Sequence, residues 1–373
     1  MQTVDVLVHG TGVVGRSLAL CMAQLGLRVA LPWPASIPAD DVRAYALNAP
    51  SVALLQELRV WDALPAYAKT AVYDMHIEGD AHATIQFSAW EQGLGELAWI
   101  VDVPALENAL ATAIRFSPQI ELLPAEANLP AAALVAICEG QHSTQRTALR
   151  EVECTRTDYA QNAIAARLST SIAHAGVAYQ WFRSPDILAL LPCSNGPEAG
   201  PAFTLVWSLP TERANELMLL QNAEFEQALA QALPAHGCIG DLSLISRRTS
   251  WPLSRTEASS WSGAGWVLLG DAAHTIHPLA GQGLNLGLAD VAALKHVVAQ
   301  REPWRALGDI KLLKRYERQR LLPTRLMAEF TGGLMHLFSN PHSIISHLRN
   351  QGMIWAEHWP GMKRWLVARA LGL

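Results

Sequence analysis

The sequence predicts an α/β fold in which a discontinuous, Rossmann-like nucleotide-binding domain contains an inserted β-rich domain and is followed by C-terminal helices. Three observations lead to this prediction. A strand, a glycine turn, a helix and a second strand follow one another within the first 31 residues. A short apolar strand at Trp266–Leu269 leads into Gly270 and Asp271. Between these segments, alternating apolar and polar residues indicate antiparallel strands.

Composition limits the classes of protein to which this chain can belong. Of its 373 residues, 50% are hydrophobic and 16% are charged, which allows a sizeable core. The net charge of −5 argues against a nucleic-acid partner, because phosphate binding requires clustered Lys and Arg. The five cysteines are scattered, and no apolar run approaches the ~20 residues of a membrane span. We therefore expect a cytoplasmic protein, or one peripheral at the inner face of a membrane.

The opening strand, Thr3–Val8, is followed by glycines with the spacing of a dinucleotide-binding turn. Gly10 permits the tight turn, Gly12 lets the backbone approach a pyrophosphate, and Gly15 allows close packing of the helix on the strand. The helix N-terminus would direct free N–H groups at the phosphates. The glycines could alternatively serve only the turn, but the surrounding strand and helix favour nucleotide binding.

An acidic residue normally ends the second strand of such a unit and binds the ribose hydroxyls, and here it is missing. Leu31 is followed by Pro32-Trp33-Pro34, and the next acids are Asp40 and Asp41. Either one of these acids reaches the ribose or the hydrogen bond is absent. Losing a hydrogen bond to a charged acceptor would weaken binding by roughly 1.5–3 kcal/mol.

The segment from Gly270 to Gly287, GDAAHTIHPLAGQGLNLG, is the most informative part of the chain. Asp271 comes at the carboxyl end of a buried strand, where α/β proteins bind ligands, and it can accept hydrogen bonds from ribityl hydroxyls. Gly281 and Gly283 would let the backbone approach a flat ring closely. The helix that follows would direct its positive end at the pyrimidine side of that ring and stabilise an anionic reduced flavin. These features favour FAD.

Two other kinds of site were considered in this segment and near it. His274 and His277 have an HxxH spacing, but no third ligand occurs at a matching position, so no metal site is predicted. The loop Ser262–Gly265 does not form the GxSxG elbow of a serine hydrolase.

The order of the remaining elements predicts the domain organisation. Residues 1–70, 98–158 and 260–300 should form the FAD-binding domain, residues 71–97 and 159–259 the substrate domain, and residues 301–373 a C-terminal helical region. Within this plan we expect one strand at Val72–Ile77 and short strands between Ala160 and Leu209. The C-terminal helices should break at Pro303, Pro323, Pro341 and Pro360, and the basic run Lys311–Arg320 should be a solvated helix face.

Several segments together resemble the ubiquinone-biosynthesis branch of the p-hydroxybenzoate-hydroxylase-type flavoprotein monooxygenases. The main ones are GTGVVG at Gly10–Gly15, DVRAYALN at Asp41–Asn48 and the run Gly270–Leu294. Supporting matches are Tyr179–Phe182, Leu188–Pro192, Leu205–Ser208, Leu313–Glu317 and Leu348–Gly352. The resemblance covers essentially the whole chain and is most specific from Gly270 to Gly287.

This resemblance implies one FAD per chain, reduction by NADH or NADPH, and hydroxylation of a phenolic ring by molecular oxygen through a flavin C4a-hydroperoxide. It also implies a polyprenyl phenol of ubiquinone biosynthesis as the substrate, and contact with a membrane or a quinone-synthesis complex. It identifies no catalytic base. The cofactor-binding residues that it implies are Gly10, Gly12 and Gly15 at the pyrophosphate, Arg43 along the FAD, Asp271 at the ribityl chain, and Pro278, Gly281, Gly283, Leu284 and Asn285 along the isoalloxazine.

The chain departs from the family pattern in the middle. The family has an Asp-Gly motif with a following Ser and Arg, whereas this chain has Glu139-Gly140, and Leu123–Ala131 is too short for the usual strand pairs. These departures, like the missing ribose acid, concern the adenine- or pyridine-nucleotide side. They motivate one alternative to the leading hypothesis, a non-catalytic subunit of a ubiquinone-synthesis complex. A separate alternative keeps the enzyme but replaces the substrate, which makes the chain a hydroxylase of a soluble phenolic compound.

Aromatic residues allow two further hypotheses. Four aromatic residues either line an apolar substrate pocket or form the core of the β-rich domain, namely Trp181, Phe182, Phe203 and Trp207. The tail carries tryptophans beside cations, which suits a helix lying on a membrane interface. The alternative is a terminal helix that packs on its own domain or on a second subunit. The tail residues concerned are Trp355, Trp359, Lys363, Arg364, Trp365 and Arg369.

Overall fold

The computed structural model describes residues 3–33, 41–79, 83–124, 126–194, 196, 200–234, 239–277, 281–339, 350–353, 359 and 361. Its strands are β1 (Thr3–His9), β2 (Val29–Trp33), β3 (Ala44–Leu47), β4 (Lys69–Val72), β5 (Asp74–Glu78), β6 (Thr84–Ser88), β7 (Ala98–Asp102), β8 (Ile120–Pro124), β9 (Ala131–Ile137), β10 (Cys154–Thr170), β11 (Val177–Arg183), β12 (Asp186–Ser194), β13 (Pro201–Pro210), β14 (Leu242–Leu244), β15 (Thr249–Ala258), β16 (Ser262–Gly263), β17 (Trp266–Leu268) and β18 (His274–Thr275). Its helices are α1 (Val13–Gln24), α2 (Ala49–Glu57), α3 (Ala89–Gln92), α4 (Val103–Arg115), α5 (Thr144–Ala148), α6 (Thr211–Leu219), α7 (Asn222–Ala232), α8 (Gln282–Ala299) and α9 (Ile310–Ser339).

A largely parallel sheet is built around β1. The strand order is β16-β17-β9-β1-β2-β8, and all neighbours are parallel except the β16–β17 pair. Such a sheet is buried on both faces, which explains why the successive residues Val6 and Leu7 of β1 are both buried. The chain crosses from β1 to β2 on one side, and β9 and β17 are added on the other. The carboxyl ends of β1 and β9 therefore lie at a topological switch point, where α/β proteins bind ligands.

A nine-stranded, mainly antiparallel sheet forms the second layer. Its order is β18-β15-β10-β13-β12-β11-β5-β6, with β14 paired to β10, and only the β11–β5 pair is parallel. The 17-residue β10 is its longest strand. The first half of β10 pairs with β15 alone, and the second half pairs with both β15 and β13. A register shift between Asp158 and Gln161, where Ala160 has a φ of 52°, separates the two halves.

The two faces of the nine-stranded sheet have different environments, because successive side chains on a strand point to opposite sides. One face packs against α6 and α7 and contains the buried Trp181, Phe203 and Trp207. The other face is turned towards a large cavity. A small antiparallel sheet, β3-β7-β4, lies beside this cavity. Its strand β3 begins directly after Arg43.

The structure corrects several expectations about individual elements. Val72–Ile77 is not one strand, because β4 ends at Val72 and β5 begins at Asp74 in a different sheet. The strands after Ala160 are not all short, since β10 starts at Cys154 and spans 17 residues. Ser262–Gly265 is not entirely a loop, because Ser262 and Gly263 form β16. The mixed α/β architecture itself follows the prediction, whereas the three-part domain division stays a prediction.

The C-terminal region requires two further corrections. Pro323 does not break a helix, because it lies inside the 30-residue α9. The basic run Lys311–Arg320 is not simply solvated, since Arg320 reaches the buried Asp290 through a 2.7 Å hydrogen bond. In the part of the chain that the structure describes, no helix is both long and apolar enough to cross a membrane. The predicted tail lies outside the described residues except for Trp359 and Gly361.

Candidate active site

One cavity of about 1210 Å³ runs from the switch point of the parallel sheet to the open face of the nine-stranded sheet. Its first end is lined by the loop after β1, the start of α1, the start of α8 and the residue before β3. Its second end is lined by β10 to β13 and by the inner side of α9. The volume exceeds the roughly 300–1,000 Å³ of a site for one small ligand. The cavity therefore has room for a dinucleotide and a second molecule.

The glycine turn after β1 is packed so tightly that two of its glycines are required. A Cβ on Gly10 would lie 2.3 Å from the carbonyl oxygen of Cys138, and Gly10 itself has a φ of 112°. A Cβ on Gly15 would lie 2.0 Å from the carbonyl oxygen of Gly10. Gly12 differs, because no atom lies within 4 Å of its hypothetical Cβ. Gly12 therefore borders open space in the cavity.

Two helix N-termini border the cavity without a side-chain cap. Helix α1 begins after Gly12, and neither a capping side chain nor an acidic residue occupies its first turn. Helix α8 begins after Gly281, which has a φ of 62°, and it is likewise uncapped. A Cβ on Gly283 would meet nothing within 4 Å. Both helices therefore offer unpaired backbone N–H groups and the positive end of a dipole to a ligand.

Asp271 lies in a 3₁₀ turn directly after β17, between these two helix ends. Its carboxylate is exposed within the cavity and has no hydrogen bond to another described residue. The surrounding protein removes it from bulk water and raises its pKa, although His274 and Arg43 oppose this shift. Both carboxylate oxygens are available to ligand hydroxyls.

Asn285 borders the cavity, but its side chain serves the scaffold. Its Oδ1 accepts hydrogen bonds from the backbone N–H of Asn48 at 3.1 Å and from the hydroxyl of Ser51 at 2.8 Å. Its Nδ2 donates to the carbonyl oxygen of Ala46 at 2.8 Å. This amide therefore fixes α8 against β3 and α2. Leu284 also lines the cavity, and Pro278 lies outside the described residues.

Arg43 borders the cavity just before β3, and its guanidinium is paired. Its Nε donates to Asp41 at 2.9 Å and its NH2 group donates to the same carboxylate at 2.5 Å. Burial would raise the pKa of Asp41, but the hydrogen bonds from Arg43 outweigh it and lower that pKa. Arg167 of β10 holds the same segment, because it donates to the carbonyl oxygens of Val42 and Arg43 and to Asp102. The nine-stranded sheet is thus tied to the segment that carries Arg43.

The second end of the cavity is largely apolar. Phe182 lines it and stacks on Phe338 of α9, with ring centroids 4.0 Å apart. Trp181, Phe203 and Trp207 lie on the opposite face of the sheet, under α6 and α7. The structure therefore separates the four aromatic residues that the sequence grouped together. Only Phe182 borders the cavity, and the other three belong to the core.

A comparison with known families shows the family of the chain. A family model described as an FAD binding domain matches residues 125–331, more than half of the chain. The chain belongs to this FAD-binding family.

Similar proteins share the whole length of the chain. The 3-demethoxyubiquinol 3-hydroxylase of Escherichia coli (strain K12) is 30% identical, and the match covers 100% of this chain and 99% of that protein. Ubiquinone hydroxylase UbiL of Rhodospirillum rubrum is 27% identical, with 100% and 90% covered. The crystal structure of P. aeruginosa PqsL in complex with 2-aminobenzoylacetate has a TM-score of 0.78 at 19% identity, and the match covers 94% of this chain and 99% of that one. The predicted α/β fold and the predicted FAD-dependent monooxygenase family are confirmed.

The residues at the first end fit FAD. Gly10, Gly12 and the start of α1 would hold the pyrophosphate, and Asp271 would hold ribityl hydroxyls. Gly281 and the start of α8 would lie along the ring. Bound FAD supplies the oxygen chemistry of this family, and the protein supplies binding, orientation and electrostatics.

A carboxylate that the sequence pattern does not single out lines the cavity close to Arg16 and Trp33. Glu107 of α4 lines the cavity near Pro32, at the end of β2 where the acid was expected. Its carboxylate lies 3.7 Å from Arg16, which stacks on Trp33 at 4.9 Å. Burial raises the pKa of Glu107, and Arg16 partly opposes this shift. Asp41 pairs with Arg43 instead, and Asp40 lies outside the described residues. The cavity is thus bordered by a carboxylate of α4 as well as by β2.

Glu139, which replaces the Asp of the family motif, has a capping role in the structure. Its carboxylate accepts a 2.7 Å hydrogen bond from the Ser143 hydroxyl and a 3.0 Å bond from the Gln145 backbone N–H. It therefore satisfies the start of the short helix α5. Arg146 then donates to the carbonyl oxygen of Ala272, next to Asp271. The altered motif still connects this loop to the ring end of the site.

The two histidines of the flavin loop have separate environments. His274 is 2.7 Å from the buried Asp290, which also accepts from Arg320 and from the backbone N–H of Gly270. His277 is buried, neither of its ring nitrogens is hydrogen-bonded to another described residue, and its ring packs edge-on against Tyr159. Burial lowers the pKa of His277 to about 4. Among the described residues, no group of three or more His, Cys, Asp or Glu side chains could hold a metal ion.

Proposed function

We propose that this chain hydroxylates the aromatic ring of a polyprenyl phenol in ubiquinone biosynthesis, with FAD as the cofactor and NADH or NADPH as the electron donor. The supporting observation is that one cavity joins the FAD-binding end to an apolar chamber. Relatives named as ubiquinone hydroxylases match the chain over its whole length. Molecular oxygen is the second substrate.

The lining of the chamber favours a lipid-like phenol over a soluble aromatic acid. Arg43 is the only Arg or Lys among the described lining residues, and its guanidinium is paired with Asp41. A bound carboxylate would need a cationic or multiply hydrogen-bonding partner, because a buried unpaired charge is costly. A polyprenyl chain needs only apolar contact, which Met327, Leu334 and Phe338 of α9 offer.

The residues of this chain would contribute positioning and electrostatics to the reaction. The apolar faces of β11 to β13 exclude water from the reacting ring. The uncapped start of α8 stabilises negative charge that develops near it. Asp271 and the glycine turn hold the cofactor in one orientation. No described side chain is assigned as a catalytic base.

The test begins with an absorbance spectrum of the purified protein, with and without added FAD. We expect a yellow flavin spectrum whose intensity corresponds to one FAD per chain, and a protein that binds no FAD would contradict the proposal and favour the non-catalytic alternative. NADH and NADPH oxidation should then be stimulated by short-chain polyprenyl phenols. Stimulation by soluble phenolic acids alone would instead favour the hydroxylase of a soluble compound.

A peripheral contact with a lipid surface is part of the proposal, because the substrate is lipid-like and α9 borders the chamber. The outer side of α9 exposes Leu322 to 64% and Leu326 to 49%, beside Arg318. Leucines beside a cation suit an interfacial helix. The double substitution Leu322→Glu and Leu326→Glu should abolish co-sedimentation with anionic liposomes. Leu219→Glu, at a site 83% exposed on α6, is the control and should leave binding unchanged.

A further inference from the structure

Gln180 is a polar residue in the middle of an apolar wall. It lies on β11, and its side chain points to the cavity with 5% residual exposure. Residues directly opposite one another on paired strands share one face of a sheet. Gln180 is opposite Ile77 on β5 and Ala189 on β12. Ala189 is in turn opposite Val206. The row that surrounds Gln180 is therefore apolar on both sides.

The amide of Gln180 has no hydrogen-bond partner within the described residues, and its polar atoms keep some exposure to the cavity. A glutamine amide carries two donors and one acceptor, and a buried amide left unpaired is unfavourable. Thr204, the other polar side chain that β10 to β13 present to the cavity, contacts the Cys193 sulfur at 3.5 Å. Gln180 therefore has unused hydrogen-bonding capacity directed at whatever occupies the chamber.

We propose that the Gln180 amide donates a hydrogen bond to an oxygen substituent on the aromatic ring of the substrate and so fixes which ring carbon faces the flavin. This inference rests on the proposed function, because it names a contact within the same chamber. A mostly apolar pocket with few polar groups orients its ligand through those groups. Van der Waals contact with the isoprenoid chain would hold the substrate in the chamber, and the single amide would set the rotation of the ring.

The test compares Gln180→Leu and Gln180→Glu with the wild type, each loaded with FAD to the same flavin absorbance. The probes are two short-chain polyprenyl aromatics that differ at one ring position, with a hydroxyl in one and a methyl group in the other. Dissociation constants come from the change in flavin absorbance on titration, and product per NAD(P)H oxidised gives the coupling. Gln231→Leu, which makes the same change on the exposed side of α7, is the matched control.

We expect Gln180→Leu to bind the hydroxyl probe about tenfold more weakly, since the lost hydrogen bond is a neutral one, and to bind the methyl probe as the wild type does. Coupling with the hydroxyl probe should fall as well, because the ring is no longer held in one rotation. Gln180→Glu should weaken binding of the hydroxyl probe at alkaline pH, where the probe is a phenolate. A carboxylate accepts but does not donate, and it repels a phenolate.

Equal ratios of the two affinities in the wild type and Gln180→Leu would overturn this inference, and so would undiminished binding of the hydroxyl probe to Gln180→Glu at alkaline pH. The proposed function fails in a different way, namely when the wild type binds FAD but hydroxylates no polyprenyl phenol. A wild type that hydroxylates such a phenol, together with an unchanged ratio in Gln180→Leu, would leave the function standing without the contact.

Discussion

The two ends of the cavity are built from different parts of the chain. At the nucleotide end, backbone groups make the site, because glycines bring main-chain atoms close and two helix N-termini remain uncapped. At the substrate end, side chains make the site, and the alternation along β10 to β13 decides which residues face the ligand. A substitution of a glycine at the first end should therefore act through steric overlap between the new side chain and nearby backbone atoms. At the second end, the effect of a substitution should depend on the side of the sheet.

The largest effect is expected where the backbone is most crowded. Gly10→Ala would place a Cβ 2.3 Å from a backbone oxygen at a φ of 112°, so both the turn and its packing on Cys138 must change. We expect a loss of more than about 4 kcal/mol in the free energy of unfolding, because steric overlap and backbone strain act together. Urea denaturation monitored by circular dichroism would measure this loss.

Gly12→Ala is the matched control, because its Cβ meets no atom within 4 Å and its φ is −74°. This variant should remain folded but bind FAD roughly tenfold more weakly, a change of about 1.4 kcal/mol. The added methyl group would occupy the space into which the pyrophosphate is expected to come. Equal stability of the Gly10 and Gly12 variants would show that the turn is not the rigid element inferred here.

The second prediction compares neighbouring residues on β12. Leu190 is fully buried on the face covered by α6 and α7, whereas Ala189 faces the cavity. Leu190→Ala should lower the free energy of unfolding by about 3 kcal/mol, because it removes packing contacts and leaves a cavity that the surrounding core fills only partly. Ala189→Leu should leave stability within about 1 kcal/mol of the wild type, since its side chain enters open space.

For the reaction, the order of the two effects should be reversed, with the larger effect at Ala189. Ala189→Leu occupies part of the chamber and should raise the KM for a polyprenyl phenol, while Leu190→Ala should leave this KM unchanged at a temperature where it stays folded. Steady-state NAD(P)H oxidation at several phenol concentrations would measure both. A higher KM only in Leu190→Ala would show that the assignment of the two faces is wrong.

This contrast explains what could be predicted from the sequence. Gly10, Gly15 and the loop from Gly270 are recognisable because only glycine fits such backbone, and the surrounding strands are buried apolar runs. The sequence could not show which face of the sheet each of the four aromatic residues occupies. Trp181 and Phe182 are neighbours on β11, so they point to opposite faces, and only the strand register decides which one faces the cavity. The predicted helix break at Pro323 is wrong, because proline usually ends a helix but here lies within α9.

Long-range contacts limited the prediction at the nucleotide end. The acid expected directly after β2 is absent there, whereas Glu107, far along the chain on α4, borders the cavity. The replacement Glu139 looked like a defect in the motif, whereas its longer side chain caps α5. Both findings depend on how separate elements pack, and no local spacing encodes that information.

The last prediction concerns the loop that connects the two ends of the cavity, and it depends on pH. His277 is 1% exposed, and burial lowers its pKa from 6.5 to about 4. The unfolded chain therefore takes up a proton near pH 6.5, whereas the folded chain does so only near pH 4. The stability that the neutral imidazole allows is present above pH 6.5 and is lost as the pH falls towards 4. Between pH 7 and pH 5 this amounts to about 2 kcal/mol.

Urea denaturation at pH 7 and pH 5 would measure this loss in the wild type and in His277→Phe. The phenyl ring retains the edge-on packing against Tyr159 but cannot titrate. Because His9 and His174 also have lowered pKa values, the wild type minus the variant isolates the contribution of His277. We expect His277→Phe to lose about 2 kcal/mol less than the wild type over this range. An identical pH dependence in both proteins would mean that His277 is protonated in the folded state at pH 5. The loop would then open to water more readily than the burial of His277 implies.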